Sequence, residues 1–87
     1  MKLAIVILNW NGIELLKKFL KPLVIYNTEN EIYVIDNNSS DDSTDYIKSN
    51  FPNIKIIENP ENYGYAKGYN KGLKKINADI LCLLNND

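Results

Sequence analysis

Four short apolar runs divide the chain, and the stretches between them change period. Residues 2–8 (KLAIVIL) are almost continuously apolar and rich in branched side chains, as expected of a strand covered on both faces. Residues 31–35 (EIYVI), 54–57 (IKII) and 79–84 (DILCLL) have the same character. From Ile13 onward, Leu15, Leu16, Phe19, Leu20 and Leu23 fall on one helical stripe with Lys17, Lys18 and Lys21 opposite. Pro22 is expected to end or bend this helix. Residues 41–50 (DDSTDYIKSN) open with capping side chains and carboxylates, which favour a helix N-terminus. Tyr46, Ile47 and Phe51 are expected to face the sheet, and Pro52 to stop the run. A third helix is predicted over 65–76, with Tyr65, Tyr69, Leu73 and Ile76 on one side. Gly68 and Gly72 lie within it, each costing about 1 kcal/mol relative to Ala. Their spacing of one helical turn implies a close approach there, by a strand or by a ligand.

The resulting order, β-α-β-α-β-α-β, is that of an α/β protein with a mainly parallel sheet. With right-handed crossovers, the simplest arrangement is strand order 3-2-1-4 with helices on both faces, a Rossmann-like half of a doubly wound fold. The first and fourth strands then flank the switch point, where a crevice opens at the strands' C-terminal ends. Every strand ends in amides or carboxylates: Asn9 and Asn11, Asp36 to Asn38, Asn59, and Asn85 to Asp87. Turn and capping chemistry accounts for Asn38, Ser39, Asp41 and Asn59. The loading of all four ends goes further and points to a polar ligand site.

Within that edge, Trp10 is either a core residue or a flat face for stacking on a nucleobase. Asp36 either caps its turn or accepts the imide N–H of a uracil or thymine ring, a bond worth roughly 1.5–3 kcal/mol. Asp87, with oxygen donors beside it, suits a hard divalent ion bridging to phosphate. The G-x-G-x-x-G of dinucleotide folds is missing after the first strand. The acidic residues that a phosphoacceptor receiver domain places there are missing too, since Asn9 to Gly12 occupy that position.

Composition narrows the chemistry further. The 87 residues allow one domain, and 45% hydrophobic with 24% charged residues is ordinary for a globular chain. A net charge of −1 with scattered basic residues argues against nucleic-acid binding. Cys82 lies alone in an apolar run, which reads as a small core residue in a reducing, cytoplasmic setting. No apolar stretch reaches membrane-spanning length, and the start lacks a signal-peptide layout. Histidine is absent, so any reaction must use carboxylates, amides, hydroxyls, lysines or aromatics.

Taken in order, ILNWNG (7–12), YVIDNNSSDDS (33–43), ENPENYGYAKGYNKG (58–72) and LLNND (83–87) resemble the start of a GT-A-type family 2 glycosyltransferase, with a rhamnosyltransferase-like final motif. The likeness extends over all 87 residues but only over the donor half of a larger domain. It implies that Leu8 through its backbone, Asn9 and Trp10 border the nucleobase, with Asp36 and Asn37 in the acidic base-binding position. Asn37 is an amide where many members have a second carboxylate, which leaves uridine, thymidine and guanosine donors open. Asn62 opens the third helix as in other members. Tyr69 stands where many carry an arginine near the nucleotide, and Lys67 is its substitute. Asn86 would approach the ribose, and Asp87 would hold the Mg2+ or Mn2+ that grips the diphosphate.

The implied reaction moves a sugar from a nucleoside diphosphate to an acceptor hydroxyl with inversion. The catalytic base is expected beyond residue 87, so no catalytic residue is assigned and the chain alone is expected to be inactive. Two other classes compete: a non-catalytic nucleotide-binding module, and a self-associating structural fragment with a vacant site. Strand four, at an edge of the sheet, is the expected seam for a homo-oligomer.

Overall fold

The computed structural model describes residues 2–85. Among them the elements run β1 (Leu3–Asn9), α1 (Ile13–Tyr26), β2 (Glu31–Asp36), α2 (Ser43–Asn50), β3 (Lys55–Glu58), α3 (Gly64–Leu73) and β4 (Ile80–Asn85). The strands form one parallel sheet in the order β3-β2-β1-β4, as the alternation predicts. Register brings the strand ends level, with Asn9 beside Asp36, Leu8 beside Asn85, and Asp36 beside Glu58.

Strand side chains alternate between faces, and this divides the core in two. Ile5, Ile7, Ile32 and Val34 pack with Leu16 and Leu20 of α1 and Ile47 of α2. Ala4, Val6, Leu8, Tyr33 and Ile35 pack on the other face with Tyr69 of α3. At the N-terminal end of the sheet, Glu31 pairs with Lys2 at 2.8 Å and with Lys55, stapling three adjacent strands. The hydrogen bonds from Lys2 and Lys55 hold its carboxyl down at about 2.

Pro22 does not end α1, which continues to Tyr26. Proline removes one N–H from the helix ladder, but Pro22 lies on the exposed side of the helix. Beyond it Leu23 and Val24 pack on the core, and Asn27 donates through Nδ2 to the Leu23 carbonyl at 2.8 Å, so tertiary packing carries the last turn. Cys82 is exposed rather than a core residue. It lies on β4, an outer strand whose Ile80, Leu81 and Leu83 are also exposed, so branched apolar composition does not here mean cover on both faces. Leu15 and Tyr65, expected on inward stripes, are likewise exposed, although the Tyr65 ring meets Tyr69 edge-on at 5.3 Å.

The two helix glycines are explained by β2. A Cβ on Gly72 would lie 2.3 Å from Cδ1 of Ile35, and one on Gly68 would lie 2.7 Å from Nδ2 of Asn37. The close approach is therefore by a strand.

Candidate nucleotide site at the strand ends

The end of β1 and the loop after it are built on amides. Asn9 is fully buried, and its Nδ2 donates to Asp36 Oδ1 at 2.9 Å and to Ser39 Oγ at 3.2 Å. Asp36, also buried, accepts in addition from Ser39 Oγ at 2.7 Å and from the Ser39 amide at 2.9 Å. The Asp36 carboxylate thus does close its own turn. Asn38 follows with φ 61° and Asn11 has φ 50°, left-handed positions that asparagine tolerates better than most residues.

Asn11 then clamps the two loops together. Its Oδ1 accepts from the amides of Ser40 at 2.7 Å and Asp41 at 3.2 Å, while its own amide donates to Ser39 Oγ at 2.9 Å. Asp41 completes the clamp by accepting from the first amide of each of two helices. Its Oδ1 accepts from the Ser43 amide at 3.0 Å and from Ser43 Oγ, and its Oδ2 accepts from the Ile13 amide at 3.2 Å. Burial works to raise this carboxyl, but the bonds from Ser43 and Ile13 outweigh it and hold it below the ordinary aspartate value.

Trp10 projects from this frame with about half its surface open (53%), so it is not a core tryptophan. Asn9 and Asp36 are thus brought together at the C-terminal ends of β1 and β2, beside the switch point between β1 and β4, while Leu8 packs on the α3 face of the sheet and Trp10 follows β1.

Asn37 faces the other way. Its Nδ2 donates to the Gly64 carbonyl at 3.0 Å, and its Oδ1 accepts from Asn59 Nδ2 at 2.9 Å. Asn59 Nδ2 also reaches the Gly68 carbonyl at 3.3 Å. Asn62 Oδ1 accepts from the Gly64 amide at 2.8 Å, and Lys67 lies 4.8 Å from the centre of the Tyr63 ring. Asn37, Asn62 and Lys67 therefore gather at the start of α3, on the face of the sheet opposite Asp36. Tyr69 is buried, and its hydroxyl donates to the Leu84 carbonyl at 2.5 Å. Asn86 and Asp87 lie outside the described residues. Among the described residues no group of three acidic, histidine or cysteine side chains is placed to hold a metal ion.

From sequence alone, Ser39, Asp41 and Asn59 have turn or capping roles only, and Asn11 is one more polar residue. Together these four fix the loops that carry Trp10 and Asn62. The signal available was the Asp36-x-x-Ser39 spacing, a side chain-to-backbone turn pattern. A groove of about 620 Å3 also opens between α1 and α2, but its lining sets Glu14, Asp41, Asp42 and Asp45 against Lys17 alone. That charge repels a diphosphate.

A parallel α/β sheet of this kind places its ligand crevice at the switch point, outside the C-terminal ends of the strands. The chain belongs to glycosyl transferase family 2, whose family model matches residues 4–87. No curated protein matches it in sequence. Among solved structures, S. aureus TarS 1-349 in complex with UDP aligns over 100% of this chain and 28% of its own, with 22% identity and a TM-score of 0.85. The mannosyltransferase PcManGT from Pyrobaculum calidifontis, in complex with GDP-Man and Mn2+, aligns over 99% of this chain and 27% of its own, with 20% identity and a TM-score of 0.82. Glucosyl-3-phosphoglycerate synthase from Mycobacterium tuberculosis, with Mn2+, UDP and glucosyl-3-phosphoglycerate, gives 99% and 33% coverage, 15% identity and a TM-score of 0.78. The chain thus spans about a third or less of these proteins. At such identities the likeness establishes a shared fold. No helix among the described residues is long and apolar enough to cross a membrane.

Proposed function

We propose that this chain is the donor-binding part of a glycosyltransferase that takes a UDP-, dTDP- or GDP-linked sugar with a divalent Mg2+ or Mn2+. The observation that carries the reading is the half-exposed Trp10 directly after β1, whose last residue, Asn9, is hydrogen-bonded to the buried Asp36 at the end of β2. An exposed aromatic face suits stacking on a base, and Asp36, engaged by Asn9 and Ser39, holds the loops on either side of it. Leu8, through its backbone, and Asn9 are assigned the border of the base. The neighbouring structures hold UDP in one case, GDP-Man and Mn2+ in another and UDP with Mn2+ in a third, which supports the choice of ligand. Asn62 and Lys67 at the start of α3 stand where amide groups and a cation favour phosphate. Asn37 fixes that helix start, and Asn86 and Asp87, directly after β4, are assigned the ribose and the metal.

In the complete enzyme this arrangement serves transfer to an acceptor hydroxyl with inversion. A bound metal supplies Lewis-acid stabilisation of the departing diphosphate. The residues described here orient the donor, and the carboxylate base that deprotonates the acceptor is not assigned to any of them.

Calorimetric titration with UDP, dTDP, GDP and ADP, each with and without Mn2+, tests the reading. One of the first three should bind at least about tenfold more tightly than ADP. Trp10→Ala should weaken that binding by about tenfold, since base stacking contributes roughly 1–3 kcal/mol. Indifference to the base, or to Trp10, would remove the donor-site assignment.

The exposed Ile80, Leu81 and Leu83 on the outer strand favour a second property, self-association through β4. Sedimentation from low to high micromolar concentration should show a dimer or larger species. A monomer throughout would exclude it.

A further inference from the structure

The C-terminal end of β4 borders the switch-point crevice, yet β4 is an outer strand with little side-chain cover among the described residues. In the sheet order it pairs with β1 alone, and Ile80, Leu81, Cys82 and Leu83 are all exposed. Leu84 is the exception. It is half-buried, and its carbonyl accepts the Tyr69 hydroxyl at 2.5 Å, at the short end of O–H···O distances. Tyr69 comes from a firmly held element. Only 4% of it is exposed, its ring packs among Ala4, Val6 and Leu8, and α3 is pinned to β2 by Asn37 and closed onto Ile35 at Gly72.

We infer that Tyr69 is a positioning residue for the nucleotide crevice: its hydroxyl ties the end of β4 to α3 and so sets the distance between that end and the Leu8–Trp10 segment. The ring alone accounts for the packing, and phenylalanine would bury the same apolar area. A buried tyrosine hydroxyl needs a partner. Here the partner is the backbone of the residue before Asn85, which register sets beside Leu8. The bond thus acts on the strand end that faces the crevice and not on the centre of the sheet. The inference rests on the nucleotide-site reading above.

Tyr69→Phe tests it in the whole chain, with nucleotide titration, hydrogen exchange and thermal unfolding measured side by side. The expected result is a loss of about fivefold in affinity for the preferred nucleoside diphosphate, the effect of one hydrogen bond. Exchange should quicken at residues 83–85 while the amides of β1 and β2 stay protected, and the unfolding midpoint should move little. Unchanged affinity alongside a lowered midpoint would make Tyr69 merely structural and overturn the inference, leaving the nucleotide site intact. Should the unaltered chain bind no nucleotide, the site reading fails. The positioning role is then judged on exchange alone: unchanged protection at residues 83–85 in Tyr69→Phe overturns that as well.

Discussion

Replacing Gly72 by alanine should destabilise the fold by about 2 kcal/mol, although the same change in an open helix is favourable. Alanine gains about 1 kcal/mol over glycine in helix propensity. Against that, its Cβ would meet three atoms of Ile35, Cδ1 at 2.3 Å, Cγ1 at 2.6 Å and Cγ2 at 2.7 Å. These include both branches at the Ile35 Cβ, so rotating the chain end cannot clear them, and Ile35 is fully buried with nowhere to move. Overpacking of this kind costs typically 1–3 kcal/mol and sometimes more. A net loss of about 2 kcal/mol is a large share of the roughly 4–13 kcal/mol expected for a domain of this length. Denaturant unfolding measures it directly. A double-mutant cycle with Ile35→Ala adds a sharper reading, because the smaller partner makes room for the new methyl and the combined loss should fall short of the sum. A neutral or stabilising Gly72→Ala would show that α3 does not close on β2 as described.

The physical content of these glycines was only half legible in the sequence. Two costly residues one turn apart announce a close approach, but the chain separation between Ile35 and Gly72 gives no means of choosing strand over ligand. Topology supplies the choice, by laying α3 across β2. The alternation of strands and helices was legible because each strand is a short branched run and each helix carries its own stripe. Pro22 does not end α1, because the packing of Leu23 and Val24 offsets its local cost. Cys82 misleads for the converse reason. DILCLL has the composition of a covered strand, but composition cannot tell an outer strand from a central one, and among the described residues nothing covers Ile80 to Leu83.

At the site, the positions of polar residues were legible and their partners were not. Asp36 and Asn37 are adjacent in sequence and were grouped as one base-binding pair. Strand alternation sends them to opposite faces, where Asp36 joins Asn9 and Ser39 while Asn37 joins Asn59 and Gly64. Period two could have separated them. What it could not supply is the identity of the partners, since Asn59 and Gly64 lie beyond a helix and a strand. The asymmetry has chemical meaning: Asp36 accepts at both oxygens, whereas Asn37 both accepts and donates, so an amide at that position is required by its surroundings.

That requirement makes Asn37→Asp the most informative substitution near the site. A carboxylate still accepts from Asn59 but cannot donate to the Gly64 carbonyl, and it would set a negative charge 3.0 Å from that oxygen in a site only 2% exposed. Loss of one buried hydrogen bond together with uncompensated desolvation should cost about 2–4 kcal/mol at neutral pH. The pH dependence identifies the cause. Desolvation and the facing carbonyl raise the folded-state pKa of the new aspartate above its unfolded value of about 3.9. Its protonated form can donate to Gly64, so the variant's deficit should be smallest below that value and grow as pH rises through the folded pKa. The unaltered protein runs oppositely. Glu31, held near 2, and Asp41, also held low, contribute stability that is present above their unfolded values and lost as pH falls toward their folded ones. The two stability curves should therefore converge on acidification and separate between about pH 4 and 7. Asn37→Ala, which removes the bonds without adding a charge, should stay a constant distance below the parent across the same range. A pH-independent deficit in Asn37→Asp would mean that the amide does not donate to Gly64, and that the start of α3 is held by something other than Asn37.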